Sequence, residues 1–391
     1  MEEKEVKVFP MLSVMFFPFL GMMGLFNTGN LWESLTYEGA DYFSSVESQY
    51  AEDFLGKDTF LDLNSSFSQP LDQVELNDVV KLHNGHLTTL LGEVDPDILS
   101  LYSQHTEEFY EFLDEKEIPF AFVLSPYKLP EDDDIMLPKG YTSYANQNAN
   151  ILMSELAETV VPVLNLQEEM FLDDLDHYDY FFKTDHHWTV YGGFWATEKV
   201  SNLVDSLLGE SHFVPEFGDL DNYDLTLYED FWIGTHGKRT GEVFSGLDDL
   251  PVLTPSFETD IQVEMPDWPW DKRGDFSTAF LNEERLDINP YAIYLTSDLD
   301  TKITNYNADN DTTIFMIKDS FALVMAPFLS LHYKNVYLYD FRLSGYNADH
   351  MQGVLEEVQP DIVLCFYNTS VFDRDNMFRF LPWQEEVVFV D

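Results

Sequence analysis

Three observations predict an α/β fold built on a mostly parallel sheet. From about residue 92 onward, short apolar strand patterns alternate with amphipathic helix patterns. The strand patterns are near-continuous apolar runs, as expected where helices cover both faces of a sheet. A Lys-Asp-Ser block sits between one such strand and the apolar segment after it, at the turn where α/β sheets present reactive groups.

The elements follow in order. Asp97 to Glu115 reads as an amphipathic helix, with Leu99, Leu101, Tyr102, Phe109, Tyr110, Phe112 and Leu113 as its candidate apolar face. Ile118 to Ser125 is a strand closed by Pro126. Gln147 to Glu158 is a helix, Val160 to Leu166 a strand, and Trp188 to Leu208 a long helix. Gly192 and Gly193 would weaken that helix in isolation, so they imply close packing. Residues 210 to 287 break the rhythm with Gly, Pro, Asp, Trp232, Trp268 and Trp270, and read as an insertion of short strands over or beside the site. Trp268 and Trp270 either pack that insertion on the sheet or stack on sugar rings. The rhythm returns as strand Thr312 to Ile317, helix Phe321 to His332, strand Val336 to Tyr339, helix Asp349 to Glu357 and strand Ile362 to Phe366.

Ahead of this region, residues 30 to 91 read as a helical lead-in packed on the main domain at 92 to 391. Residues 1 to 29 read as a signal-anchor or signal peptide. Phe9 to Phe26 carries no charge in 18 residues, although MEEKEVK before it is acidic and Pro10 and Pro18 disturb a helix. Any contact with a membrane is expected through this segment alone.

Composition narrows the function. The 391 residues carry 72 acidic and 20 basic side chains, a formal charge of −52. Nucleic acid is excluded as a partner, because phosphate contacts need clustered Lys and Arg. The surface is expected to be solvated and self-repelling. Glu131 to Asp134 and Asp173 to Asp176 lack EF-hand spacing and read as solvated loops. The single cysteine, Cys365, lies in an apolar run and reads as a buried structural thiol.

Two runs carry chemistry. Thr184-Asp185-His186-His187-Trp188 places a carboxylate beside two imidazoles. In an extended segment residues i and i+2 share a side, so Asp185 reaches His187 more easily than His186. A carboxylate on one ring nitrogen fixes the tautomer and leaves the other to accept a proton. Lys318-Asp319-Ser320-Phe321-Ala322 supplies a hydroxyl at a strand-to-helix turn, where the plainer reading is an N-cap. The two roles are compatible if Asp319 caps while Ser320 attacks. Gly234 to Gly241 holds Lys238 and Arg239 in a local basic, glycine-rich loop without P-loop spacing, either an ordinary loop or a contact to a ligand. A metal at Asp185, His186 and His187, with His332 or His350, is disfavoured because consecutive residues rarely chelate one ion. No metal and no cofactor are expected.

The chain resembles the DHHW family, which is related to the alginate O-acetylation proteins of the bacterial envelope and belongs to the SGNH/GDSL hydrolase-like superfamily. Residues 181 to 189 (FFKTDHHWT) look like its signature and 318 to 322 (KDSFA), with Pro327-Phe328-Leu329, like its serine block. Tyr339-Asp340-Phe341-Arg342 and Gln359-Pro360-Asp361-Ile362-Val363, continuing to Tyr367-Asn368, resemble later family segments in the same order. Lys318 stands where the GDS form has glycine. The resemblance spans roughly residues 30 to 375. It implies a three-layer SGNH-like fold, with Ser320 as nucleophile, His187 as general base and Asp185 as its orienter. It further implies acyl, chiefly acetyl, transfer to or removal from an extracytoplasmic polysaccharide, by a secreted or membrane-anchored protein. The expected partners are a carbohydrate polymer and an acyl donor, such as a membrane-bound acyltransferase. Asn368, with the Ser320 N–H, is a candidate oxyanion donor. Arg342 pairs with Asp340 or another acid, or else binds substrate. His186 is left for packing or a supporting contact. The rival reading from another class is a non-catalytic glycan-binding or scaffold protein on the same fold.

Overall fold

A computed structural model describes residues 61–62, 73–131, 136–266 and 268–387. The apolar run Phe9 to Phe26 lies outside the described residues. Among the described residues, no helix is long and apolar enough to cross a membrane. The chain divides into two units, Met1–Gln73 with Lys238–Phe244, and Val74–Gly237 with Ser245–Asp391.

The larger unit opens with three short antiparallel strands, β1 (Glu75–Leu76), β2 (Val79–Lys81) and β3 (Leu87–Thr88). A helical lead-in is expected over residues 30 to 91, of which 30–60 and 63–72 lie outside the described residues. The difference lies in turn chemistry: Asn77 and Asp78 both adopt positive φ, 51° and 60°, which makes a two-residue hairpin turn.

The expected alternation then follows closely. It runs α1 (Pro96–Asp114), β4 (Phe120–Ser125), α2 (Ala145–Ala157), β5 (Val163–Asn165) and α3 (Val190–Leu208). After the insertion come β11 (Thr313–Lys318), β12 (Asn335–Tyr339), α4 (Ala348–Val358) and β13 (Ile362–Asn368). Strands β5, β4, β13, β11 and β12 are neighbours in that order and pair in parallel. Successive side chains point to opposite faces. Ile314 and Met316 therefore join one apolar core with Val200 and Val204 of α3, while Phe315 and Ile317 join another with Leu99 of α1, Leu152 of α2 and Met351 of α4. Helices thus cover both faces, giving the three layers that the resemblance implies. Cys365 is buried in the second core.

The insertion departs from a simple overlay. Its strands β6 (Tyr223–Trp232) and β7 (Asp248–Pro255) form a separate antiparallel pair. Its strands β8 (Ile261–Met265) and β9 (Trp270–Gly274) instead join the central sheet through β10 (Thr301–Asn305), all antiparallel. The sheet thus has eight strands, five of them parallel neighbours. Trp268 is about half exposed beside the β8–β9 turn, and Trp270 carries the Lys272 ammonium 3.7 Å over its ring.

Two packing details bear on the site. A Cβ at Gly193 would lie 2.6 Å from the Val324 carbonyl oxygen, so the glycine lets α3 approach the segment after Ser320. That segment is not one helix from 321 to 332. It is a 3₁₀ turn, Ser320–Val324, followed by a short helix, Ala326–Leu329. Pro327 has no N–H to donate and its ring would clash with the carbonyl four residues back, so it is accommodated only in the first turn of a new helix.

Candidate active site

Asp185 and His187 sit in a bend rather than an extended strand. The bend is closed by a bridge between Phe181 and Trp188, with Phe182 N–H donating to the His187 carbonyl and Thr189 N–H to that of Tyr180. Inside it, Asp185 Oδ1 accepts the His187 backbone N–H at 3.0 Å, an Asx-type turn that aims the ring at its own carboxylate. His187 Nδ1 lies 2.6 Å from Asp185 Oδ1, and Nε2 lies 2.7 Å from Ser320 Oγ. Residues 133 positions apart are thereby joined into one hydrogen-bonded chain, Asp185–His187–Ser320.

The carboxylate is held from several sides. Thr235 N–H donates to Asp185 Oδ2 at 2.6 Å, and Gly234 N–H donates to Thr184 Oγ1 at 2.7 Å. Asp248 accepts from Lys183 N–H and from the N–H and hydroxyl of Thr184. Lys128, 1% exposed, donates its ammonium protons to the carbonyls of Leu87, Lys183 and Asp185 at 2.6, 3.0 and 2.6 Å. Burial lowers Lys128 to about 7, against the pull of Asp248 and Asp185. Burial also opposes the charge of Asp185, but His186, His187 and the Thr235 N–H more than offset it, and Asp185 stays ionised well below the usual carboxylate range.

Ser320 follows directly from β11. Asp319 Oδ1 accepts the Phe321 N–H at 2.9 Å, so Asp319 is the cap and Ser320 is left to face His187. The His187 ring stacks on Tyr291 at 3.8 Å with 13° between planes, and the Tyr291 hydroxyl donates to the Ser320 carbonyl at 3.0 Å. The Trp188 indole N–H donates to the Phe321 carbonyl. One aromatic pair thus braces both halves of the triad.

The remaining sequence candidates are distributed differently. Asn368 is 1% exposed, and its amide donates to the Pro126 carbonyl at 2.9 Å and to Ser125 Oγ at 3.3 Å, tying β13 to β4, while its backbone N–H donates to the Asp319 carboxylate beside Ser320. Arg342 grips Asp340 through Nε and Nη2 and lies 3.0 Å from Asp298. Lys318, fully buried, completes this cluster at 2.9 Å from Asp298 and 2.8 Å from Asp340. The buried ammonium of Lys318 is therefore balanced by two carboxylates. His186 Nδ1 lies 3.4 Å from Asp185 Oδ1 on the partly exposed side. The donor atoms of Asp185, His186 and His187 fall within 4.8 Å of one another, a spacing that suits one ion. His332 and His350 are engaged elsewhere, with Val214 N–H and the Tyr339 hydroxyl. Lys238 and Arg239 end the short helix Thr235–Thr240, in the segment that groups with the N-terminal unit.

No family model and no curated protein sequence matches the chain. Solved structures do. PatB1 of Bacillus cereus superposes with a TM-score of 0.63 at 22% identity, over 77% of this chain and 99% of that one. A second PatB1 structure, carrying a sulfonyl adduct, gives 0.61 at 20% identity, over 78% and 99%. A DHHW family protein of Eubacterium siraeum gives 0.58 at 20% identity, over 78% and 95%. The chain shares its fold with a protein of the DHHW family. At these identities the likeness is one of fold.

Several residues at the site escape sequence reading. Lys128, Gly234-Thr235, Asp248, Tyr291 and Asp298 come from five separate stretches, and no local pattern marks any of them as part of the site. The glycine-rich loop at 234 is noticed for its basic residues, whereas its backbone N–H groups are what reach the triad turn. Asp300 lies just behind the Asp298 cluster. It is 2% exposed, with Oδ2 accepting from the Tyr337 hydroxyl at 3.3 Å and Oδ1 without a partner. Burial raises it to about 7. A raised folded value means that stability is lost as pH climbs through about 7. Asp300→Asn, neutral at all pH, is expected to be more stable than wild type at pH 8, by about 4 kcal/mol at most. The gap should be less than half as large at pH 5, because the loss sets in above the unfolded carboxylate value of about 4 and is complete above about 7. Parallel melting curves at the two pH values check this.

Proposed function

We propose that this protein is a serine-dependent acyltransferase or esterase, acting through an acyl-Ser320 intermediate on a polysaccharide outside the cytoplasm. The observation that carries the reading is the continuous hydrogen-bonded chain Asp185–His187–Ser320, with links of 2.6 and 2.7 Å. In the first half-reaction His187 Nε2 takes the Ser320 hydroxyl proton as Oγ attacks the acyl carbonyl. The Ser320 N–H is the proposed donor to the developing oxyanion. The tetrahedral adduct collapses, His187 protonates the leaving oxygen, and the acyl group stays on Ser320. In the second half His187 deprotonates a sugar hydroxyl or water, which attacks the acyl-serine and regenerates the free hydroxyl. Asp185 stays ionised throughout and stabilises the imidazolium in both halves.

The sequence resemblance to the DHHW family and the fold shared with one of its members support acetyl as the acyl group and a glycan as its partner. The test is intact-mass analysis of the full chain incubated with an activated acetyl ester, and separately with a small sulfonyl fluoride. One covalent group per chain, mapped to Ser320, is expected with each reagent. A chain that stays unmodified and turns over no ester would point to the glycan-binding, non-catalytic reading instead.

A further inference from the structure

A groove of about 670 Å³ runs along the outer face of α3. Its floor comes from positions that helical spacing brings together, Tyr191, Trp195 and Glu198 at i, i+4 and i+7. Tyr180 and Phe217 also line the groove. These aromatic rings are each partly exposed; Phe217 stacks one face on Phe257 and the Lys199 ammonium lies 5.9 Å over the Trp195 ring, which leaves the remaining surfaces to a ligand. Tyr180 and Trp195 meet at 62° with centroids 6.5 Å apart, which makes an angled platform rather than a closed stack. The Trp195 indole is held in place by a 2.9 Å hydrogen bond to Asp173.

The charged residues that line the groove have one sign. Asp179, Glu198 and Asp219 line it and are exposed, and no Lys or Arg is among the described lining residues. Lys199, next along α3, is committed to Glu169 at 3.0 Å and Asp173 at 2.8 Å. Pyranose rings offer C–H faces that pack on aromatic side chains. Their hydroxyls donate well to carboxylates. A sugar carrying its own carboxylate would meet like charge here, within the field of a chain whose net charge is −52.

The groove is tied to the triad by the chain itself. Tyr191 lies four residues after His187. Tyr180 precedes the Phe181–Trp188 bridge that closes the triad turn, and its carbonyl takes the Thr189 N–H at 2.7 Å. A polymer held along α3 would be anchored on the helix that begins three residues after the general base.

We infer that this groove is a glycan subsite for uncharged sugar residues, so that the acceptor is a neutral polysaccharide and not a polyuronate. This rests on the acyl-transfer reading above and specifies its substrate class. The probes are hexasaccharides of gluco, manno, xylo and galacto configuration, with a hexauronate beside them, titrated calorimetrically against the full chain. At least one neutral probe is expected to bind, with the hexauronate at least about tenfold weaker. Tyr191→Ala/Trp195→Ala should weaken the neutral probe at least tenfold, while Phe171→Ser, at an exposed position outside the groove, should not. Thermal melts confirm that both variants are folded. Binding of the hexauronate as tight as the best neutral probe, no binding of any neutral probe, or unchanged affinity in the double variant would each overturn the inference. Turnover of the small acetyl ester by wild type is measured in parallel. It reports on the serine chemistry alone, so a failed groove and a failed triad give different results.

Discussion

Ser320→Ala is expected to abolish covalent labelling and to lower turnover of an activated acetyl ester by at least about 10⁴-fold, because the variant has no nucleophile to form the acyl intermediate. His187→Ala should fall as far, since His187 Nε2 is the base hydrogen-bonded to Ser320 Oγ. Asp185→Asn is expected to cost about 10⁴-fold by presenting the wrong tautomer, even where the geometry is kept. The three groups act as one unit, so the losses do not add. Ser320→Ala/Asp185→Asn should be no slower than Ser320→Ala alone. Stopped assays on the four variants, each checked by thermal melt, decide the matter. A double variant markedly worse than both singles would mean that Asp185 works by some route other than through His187.

Gly234→Ala is expected to damage the site nearly as much, although position 234 carries no side chain that could react. A Cβ there would fall 2.4 Å from Asp185 Cβ and 2.8 Å from the Asp185 backbone nitrogen and Cα. Real atoms do not approach so closely, so either the loop or the Asp185 bend must move. Both adjacent contacts are involved, Gly234 N–H to Thr184 and Thr235 N–H to Asp185. A displacement of about 1 Å in a catalytic array costs on the order of 10²-fold. The expected result is a kcat lowered about 10²-fold with KM little changed. Gly353→Ala, where a Cβ meets open space in α4, should leave turnover alone and add slightly to stability. Ester kinetics with circular dichroism on both variants check the contrast. Wild-type kcat in a folded Gly234→Ala would show that Asp185 tolerates displacement.

Much of the fold is legible because its signals are local. Apolar runs and helical periods give α1 to α4 and five parallel strands within a few residues of their true ends. The strands β8, β9 and β10 are not legible as members of the central sheet. Their pattern, for example alternating burial in Ile261–Met265, says strand but not which partner. The broken segment after Ser320 is legible in hindsight from Pro327, and the β1–β2 hairpin from Asn77-Asp78.

The candidate site divides along the same line. The sequence by itself determined the kinds of residue and their local handles: a carboxylate and an imidazole two residues apart, and a serine placed at the end of a strand. Those are short-range facts, set by neighbours along the chain. Only the tertiary structure decided that Ser320 meets His187 across 133 positions, and that Lys128, Gly234, Thr235 and Tyr291 hold the pair in line. It also decided that the Asn368 amide ties β13 to β4 and that Arg342 grips Asp340. The physical reason is that a hydrogen bond or a close glycine contact depends on positions within a few tenths of an ångström. Such positions come from the packing of two cores around one sheet, which no local stretch of sequence specifies alone.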